Sequence, residues 1–422
     1  MHALLNRKIN VQTWLVFSTL ASVFLIIKIG RLGADIFAGY PIVILNAGLL
    51  LLLGRLMIHK SHAILIALIA VTSVLAAHFS HTPMTAILAQ ITGIILMSVC
   101  YFSVLLTSGL TVPRWMNLYA DVAFYLAVFG IAAFIAQHIL HYDPEGDQRL
   151  KSIFAEPSLF VYTTLPAMGY YMNAWASERR YGLETLIFLL AYVLADSALG
   201  FMGLLLIGAF TFIKRFTIWH LLLGAIVIAT LLAGLFFASE NFRLRVTDTA
   251  VAASSEDIKQ TNGSTFAFLS NLYVTGHAVA DHPVLGVGIG GYRSAYDRYI
   301  SELGQVTLES NKNSVGLNSD DANSLFLRVV AELGPIGLIA LLGFLIVCAK
   351  VDGTPYRQIR NALLPYFFVR MSRFGAYFSM ELYFFVGLYL LNFLDYRRQV
   401  ASAVPGALPA PADPAGARYS PG

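Results

Sequence analysis

Long apolar runs are the feature that most constrains this chain, because they recur along most of its length. Each run is close to the roughly 20 residues that a helix needs to cross the hydrocarbon core of a bilayer. Of the 422 residues, 57% are hydrophobic and 12% are charged, whereas a soluble domain carries about 25% charged residues. A membrane barrel would instead show alternation over segments of about ten residues. The sequence therefore predicts an all-α, polytopic bundle of transmembrane helices.

The apolar runs divide into about twelve spans, some of which contain helix-breaking residues. Residues 183–213 are too long for one span, and we predict two short helices that meet at Asp196-Ser197. The span at 322–349 is predicted to break at Gly334-Pro335. The remaining predicted spans cover residues 11–29, 40–58, 63–79, 84–106, 118–139, 157–175, 217–238, 361–369 and 377–393.

One long polar segment separates spans nine and ten. Lys and Arg otherwise collect in the short loops of one side, which predicts that this side is cytoplasmic and that the long loop is periplasmic. The net charge of +4 does not indicate nucleic-acid binding, because the basic residues lie at span ends. The predicted parts are an N-terminal transmembrane bundle (1–238), a periplasmic loop (239–321), C-terminal transmembrane helices (322–400) and a disordered, Ala/Pro/Gly-rich cytoplasmic tail (401–422).

Eight arginines on the predicted outer side break this bias: Arg31, Arg243, Arg245, Arg293, Arg298, Arg328, Arg370 and Arg373. The candidates for ligand binding among them are Arg293, Arg328, Arg370 and Arg373. Arginine is always charged, and its fork of donors matches the geometry of a phosphate. A charge at membrane depth is costly and usually functional. We therefore predict that these arginines hold a phosphate-containing ligand, while ion pairs or lipid headgroup contacts remain the alternative.

Two outer carboxylates, Glu156 and Asp196, lie beside or within spans and are the candidates for a general base. The other outer carboxylates are more typical of helix caps, ion pairs or solvated side chains. They are Asp143, Glu145, Asp147, Asp281, Asp297, Asp320, Asp321 and Glu332.

The segment 286–291 matches the pattern G-x-G-x-x-G but has no βαβ unit around it, so it does not indicate a dinucleotide site. Its glycines could let backbone N–H groups close on an anion, or could simply form a tight turn. Three histidine pairs with i, i+3 spacing have no third ligand nearby in sequence, so we predict no metal and no cofactor.

Two motifs in the second half of the chain resemble the bacterial O-antigen polymerase and ligase superfamily. They are H-P-V-L-G-V-G-I-G-G-Y at 282–292 and A-N-S-L-F-L-R-V-V-A-E-L-G-P-I-G-L at 322–338. F-A-E-P-S at 154–158 and R-M-S-R-F-G-A-Y-F at 370–378 look like elements of its exopolysaccharide polymerases. With N-V-Q-T-W-L-V-F at 10–17, the pattern looks closest to the xanthan-type polymerases of the Wzy-dependent pathway.

The resemblance implies a glycosyltransferase in the bacterial inner membrane that joins oligosaccharide repeat units carried on undecaprenyl pyrophosphate, at the periplasmic face. Under this hypothesis the four arginines hold pyrophosphate, and Glu156 or Asp196 takes the proton of the acceptor hydroxyl. The loop residues at the site would be His282, Gly288, Gly290, Tyr292 and Asn323. Membrane lipids, a chain-length-regulating co-polymerase and a flippase are the other candidate partners.

Two departures favour a polymerase over a ligase. O-antigen ligases of this pattern carry a histidine just before the asparagine of the second motif, and Ala322 stands there. Their arginine near the start of the preceding helix has no match around Ser270-Asn271. A ligase remains the first alternative, and a lipid-linked sugar flippase or another transporter the second.

Overall fold

The computed structural model describes residues 10–32, 34–58, 60–140, 149–212 and 263–402, together with residues 243 and 247. The predicted span at 217–238, residues 239–262 of the long loop apart from 243 and 247, and the tail from 403 onward lie outside the described residues. The prediction of a disordered tail therefore falls almost wholly outside them.

The described residues are almost entirely helical, as predicted. The elements are α1 (Val11–Phe24), β1 (Lys28–Leu32), β2 (Ala34–Phe37), α2 (Gly39–Leu52), α3 (Lys60–Ser80), α4 (Met84–Thr107), α5 (Val112–Leu140), α6 (Pro157–Glu178), α7 (Gly182–Ala195), α8 (Ala198–Phe212), α9 (Gly263–Asp281), α10 (Tyr292–Tyr299), a 3₁₀ turn (Ile300–Leu303), α11 (Gln305–Ser310), α12 (Leu325–Cys348), α13 (Tyr356–Ser372) and α14 (Met380–Ser402).

Among the described helices, α3, α4, α5 and α12 are long and apolar enough to cross a membrane. The helices α1, α2, α7 and α8 are apolar but shorter. Much of their surface carries exposed large hydrophobic side chains, as is normal for helices that face lipid rather than water. The molecule is therefore a helical, multi-pass membrane protein.

Helices α6 and α13 pack against each other at the centre of the bundle. A Cβ atom added to Gly169 would lie 3.0 Å from the Cα atom of Ala362, so the two backbones approach closely. Small residues permit this packing between membrane helices. The side chain of Asn361 also donates a hydrogen bond to Asn173, with an N–O distance of 3.0 Å. This contact fixes one helix against the other.

Both predicted interruptions are present. Helix α7 ends at Ala195, the following Asp196 has a left-handed backbone (φ 38°, ψ 53°), and α8 begins at Ala198. Helix α12 loses helical geometry at Gly334 (φ 64°, ψ −167°). Pro335 follows, and a proline cannot supply the backbone N–H that an unbroken helix requires.

The first predicted span is shorter than expected. Helix α1 ends at Phe24, and the predicted link of residues 30–35 belongs to an antiparallel hairpin in which Lys28 pairs with Phe37. The β-branched residues Ile26, Ile27 and Ile29 follow the end of the helix, and such residues favour strands over helices.

Candidate functional site

The glycine-rich segment 286–291, called the glycine loop below, packs between two parts of the bundle. Gly286, Gly288 and Gly290 all have positive φ values, of 65°, 85° and 79°. A Cβ atom on Gly286 would lie 2.4 Å from the carbonyl oxygen of Ala331, and one on Gly288 would lie 2.9 Å from that of Ser73. Only glycine satisfies both the conformation and the lack of space. The loop therefore joins the break in α12 to α3.

Most backbone N–H groups of the glycine loop donate to protein acceptors. Val287 and Gly288 donate to the carbonyls of Ala331 and Glu332, at 2.8 and 2.9 Å. Ile289 donates to the Ser73 hydroxyl at 3.2 Å. The tight-turn alternative thus accounts for the glycine pattern, and the role of Gly288 and Gly290 at the site stays a prediction.

The other predicted loop residues differ in exposure. His282 is half-buried and follows the end of α9, where its N–H donates to Ala278. Tyr292 is fully buried, and its hydroxyl donates to the Asn271 side chain at 2.8 Å. Its backbone N–H donates to the Glu332 carboxylate at 3.2 Å. Tyr292, at the start of α10, therefore ties α9 to the carboxylate that pairs with Arg328.

Arg328 lies on the buried face of α12, with its side chain 4% exposed. Its Nε donates to Glu332 one turn later, with an N–O distance of 3.3 Å. Its Nη1 donates to the carbonyl of Gly375 at 3.2 Å, and its guanidinium lies 4.2 Å from the centre of the Tyr377 ring. The remaining nitrogen, Nη2, makes no hydrogen bond within the described part of the chain. Arg328 thus keeps one terminal donor available while its orientation is fixed.

Arg370 lies at the end of α13 and is fully buried. Its Nη1 donates to the Glu381 carboxylate at 2.9 Å and to the hydroxyls of Tyr162 and Tyr366. Its Nη2 donates to the carbonyl of Ala376 and the hydroxyl of Ser379. The charge is therefore neutralised by one carboxylate inside the bundle. Such pairs are costly to break, because they leave the other charge buried.

The two buried arginines flank a single short turn, residues 374–379. Arg328 donates to Gly375, and Arg370 donates to the next carbonyl, of Ala376. Ser324, which caps the start of α12, donates to the carbonyl of Met371 at 2.5 Å. These contacts hold the start of α12 against the end of α13, so Arg328 and Arg370 lie in one cluster, called the arginine cluster below. The role of each arginine stays a prediction.

Arg293 and Arg373 complete the set of predicted arginines. The Arg293 side chain is 52% exposed and pairs with Asp297, at 3.0 Å, and with Asp320, at 3.3 Å. It also donates to Ser319 at 2.9 Å. Arg373 is half-buried and directly follows α13. Arg293 therefore contacts the segment 318–324, which we call the aspartate loop.

Asp321 is the half-buried carboxylate of the aspartate loop. Its Oδ1 accepts a hydrogen bond from the N–H of Asn323 at 3.0 Å. Burial raises the pKa of this carboxyl group, and the guanidinium groups of Arg328 and Arg370 oppose part of that effect. Asp321 was one of the outer carboxylates for which the sequence favoured a structural role. The sequence feature that could have indicated a role at the site was its position directly before the second motif, 322–338.

Asn323, predicted to lie at the site, is 1% exposed. Its side-chain Nδ2 has no hydrogen-bond partner, although such buried groups are nearly always paired. Ala322 and Asn323 both adopt left-handed backbone conformations, with φ values of 58° and 59°. Consecutive left-handed non-glycine residues are uncommon and cluster at functional sites.

The two predicted bases lie in other environments. Glu156 is exposed at the start of α6, where its Oε2 accepts a hydrogen bond from Ser158 at 3.0 Å. About 9 Å of helix rise separates it from Tyr162, which contacts Arg370. Asp196 is half-buried at the joint between α7 and α8. No contact within the described residues joins Glu156 to the arginine cluster, and both assignments stay predictions.

Metal ligands are not grouped in the part of the chain that the structure describes: it holds no cluster of three His, Cys, Asp or Glu side chains that could bind an ion.

The helices from α7 to the middle of α12 carry both sequence motifs between them. Residues 183–342 match the family model described as O-antigen ligase (Wzy_C). The matched segment includes the glycine loop, the aspartate loop, Arg293 and Arg328, whereas Arg370 and Arg373 lie beyond it. No curated protein matches the chain. The family match supports the resemblance to the O-antigen polymerase and ligase superfamily, and with it a membrane protein with polysaccharide polymerase or ligase activity.

Proposed function

We propose that this protein is an inner-membrane exopolysaccharide polymerase, of the xanthan type, that joins undecaprenyl-pyrophosphate-linked repeat units at the periplasmic face. The observation that carries the proposal is the pair of buried arginines, Arg328 and Arg370, on either side of one turn. Positive charge buried inside a membrane bundle needs a functional reason. The described end of the long loop also reaches this turn, because a Cβ atom on Gly375 would lie 1.7 Å from the carbonyl oxygen of Asp321.

In this reaction the acceptor hydroxyl oxygen forms a bond to the anomeric carbon of the growing chain. The bond from that carbon to the lipid pyrophosphate breaks, and its electron pair leaves with the phosphate oxygen. Negative charge therefore grows on the leaving group, where fixed arginines stabilise it more than they stabilise the ground state. Arg328 offers its Nη2 donor, and Arg293 could exchange an aspartate for a phosphate.

The carboxylates Glu332 and Glu381 have the complementary task of fixing the guanidinium groups. Each accepts from its arginine within 3.3 Å and is at most 2% exposed. A donor that is held in place before the reaction loses little free energy to reorganisation during it. Binding both lipid-linked substrates side by side in the membrane would add the orientation that a two-substrate reaction requires.

The base that the sequence suggests for this reaction is Glu156 or Asp196. A flippase would deliver the repeat units, and a co-polymerase would regulate chain length. These partners follow from the proposed substrate, which must cross the membrane before it can be polymerised outside.

An O-antigen-type ligase is the second candidate, because the matching family model carries that description. The two enzymes share the pyrophosphate leaving group and differ in the acceptor. Ala322, in place of the ligase histidine, favours the polymerase.

Deleting the gene in its host tests the proposal. We expect single repeat units on the lipid carrier, facing outward, and no polymer at the surface or in the medium. Complete polymer left on its carrier would instead identify a ligase. Units retained on the inner leaflet would identify a flippase and would overturn the mechanism. Extraction of lipid-linked intermediates followed by mass spectrometry distinguishes the three.

A further inference from the structure

Asp321 lies where the structural elements of the arginine cluster meet. A Cβ atom added to Gly375 would lie 1.7 Å from the carbonyl oxygen of Asp321, so the turn 374–379 packs directly on the aspartate loop. That turn also supplies the carbonyls that Arg328 and Arg370 bind. The backbone of Asp321 is thus in contact with the turn between the two guanidinium groups.

The charged and polar groups around Asp321 come from three elements. Arg328 of α12 and Arg370 of α13 both act on its carboxyl group electrostatically, and Asn318 and Asn323 of its own loop also act on it. The neighbouring Asp320 is turned instead toward Arg293. Asp321 has no ion-pair contact within 4.0 Å among the described residues, unlike Glu332 and Glu381. Its carboxylate is therefore near the cluster but does not form an ion pair with one particular arginine.

The aspartate loop also bears the signs of a binding position. Ala322 and Asn323 hold left-handed conformations, each of which costs free energy on the order of 1 kcal/mol or more. The buried Nδ2 of Asn323 has no acceptor. A sugar hydroxyl or a phosphate oxygen beside Asp321 would supply that acceptor. The strain and the unpaired amide thus coincide with the carboxylate.

We infer that Asp321 is the base that takes the proton of the acceptor hydroxyl, and that Asn323 holds the same substrate. This inference rests on the proposed function. As the hydroxyl oxygen bonds to the anomeric carbon, its proton passes to the carboxylate of Asp321, and the pyrophosphate leaves with the electron pair of the broken bond. Arg328 and Arg370 stabilise both the aspartate before the transfer and the leaving group after it.

The other carboxylates fit this role less well. Glu332 and Glu381 have one oxygen bound to an arginine and are almost completely buried. Glu156 is exposed at the start of α6. Asp321 combines partial exposure, which admits a substrate, with burial that raises its pKa toward the working range of a base.

The test uses the full-length protein in lipid nanodiscs and the single lipid-linked units that the deletion strain accumulates. We expect Asp321→Asn to reduce the polymerisation rate by about 10²- to 10⁴-fold, the usual contribution of a general base, with little change in KM. The matched control is Glu309→Gln, an exposed carboxylate at the same end that is bonded to Gln305. Formate should restore part of the rate to Asp321→Ala and none to Glu309→Ala.

The outcomes separate this inference from the proposed function. If the wild type makes no polymer from these units, the proposed function fails. If the wild type makes polymer and Asp321→Asn is as active as the control, only the inference is overturned. A large loss in Glu156→Gln or Asp196→Asn, with Asp321→Asn active, would place the base there.

The pH dependence of the wild-type reaction tests the inference even if the variants do not fold. The kcat/KM of the wild type should fall toward low pH with a midpoint above the ordinary range of an aspartate, near 4. If kcat/KM instead stays constant from about pH 8 down to about pH 4.5, close to the ordinary pKa of an aspartate, the inference is overturned. This test needs no substitution.

Discussion

At the residue scale, the arginine cluster combines two kinds of cation. Arg370 is fully buried, with its two terminal nitrogens bonded inside the protein. Arg328 is also paired, yet it keeps Nη2 without a partner among the described residues. Arg370 therefore contributes mainly a fixed positive potential, whereas Arg328 can also donate directly to a phosphate.

Replacing Arg328 with Lys tests this distinction. The lysine keeps the charge beside Glu332 but loses the planar fork, so we expect polymer formation to fall by about 10²- to 10³-fold, comparable to the loss of one oxyanion donor. Single lipid-linked units should accumulate. Arg298→Lys is the control, since Arg298 donates to the carbonyl of Ser80 outside the cluster. Equal polymer output from both variants would remove Arg328 from the pyrophosphate site.

Asp321 gives a second prediction, on stability. Its pKa is raised in the folded protein, so the ionised form is less favourable there than in the unfolded chain. Below the unfolded pKa, near 4, both states are protonated and no penalty exists; the penalty grows as pH rises through that value. We therefore expect Asp321→Asn to raise Tm at pH 7, with a difference that shrinks toward pH 4. A lower Tm at pH 7 would indicate a purely structural carboxylate.

At the element scale, the glycine loop and the broken helix α12 act as one unit. Gly286 contacts the carbonyls before the break, and a Cβ atom on Gly334 would lie 2.3 Å from the carbonyl oxygen of Val284. A change in the backbone of either segment would therefore displace the other. Since Arg328 lies one turn and a half before the break, its position depends on this contact.

The Gly286→Ala substitution should disturb that unit. The new Cβ would meet Ala331 at 2.4 Å in addition to the strain of a positive φ. Gly316→Ala is the matched control, because Gly316 has φ of 84° with open space around it. Both variants pay a conformational cost of about 1 kcal/mol, and Gly286→Ala pays a further 1–3 kcal/mol for the clash. Thermal unfolding should therefore show a clearly larger loss for Gly286→Ala; equal losses would mean that the loop is not tightly held.

At the scale of the whole molecule, the bundle has two chemically different ends. Helix α14 begins beside the turn 374–379 and carries Arg397 and Arg398 near its other end. Basic residues at that end predict that it is cytoplasmic. The proposed reaction requires that the cluster faces the periplasm.

Thiol labelling measures this orientation directly. Cys100 and Cys348 are buried, with 3% and 2% exposure, so the wild type should remain unlabelled by an impermeant maleimide. Ser301 and Ser402 are both exposed, and α14 runs from beside the turn 374–379 to Ser402, a helix rise of about 33 Å. We expect Ser301→Cys to react in cells with a permeable outer membrane but an intact inner membrane, and Ser402→Cys only after the inner membrane is opened. The reverse pattern would place the cluster in the cytoplasm and rule out the proposed substrate side.

Much of the architecture followed from sequence because membrane helices are specified locally. The length of an apolar run predicts a span, and breakers such as Asp196-Ser197 and Gly334-Pro335 interrupt it wherever it packs. The hairpin at 28–37 was missed because short strands carry a weaker signal than spans. The same local chemistry marked four arginines as candidates, since charge beside apolar residues is visible without coordinates.

Only the tertiary structure decided which of these side chains meet. It placed Arg328 and Arg370 on one turn, although 42 positions separate them in sequence, and it supplied their carboxylates, Glu332 and Glu381. It also distinguished Asp321 from its neighbour Asp320, which faces Arg293. Burial and pairing depend on which helices pack together, and a single sequence does not contain that information in local form. The sequence thus determined the spans, the breaks and the candidate charges, while the fold determined which charges form one site.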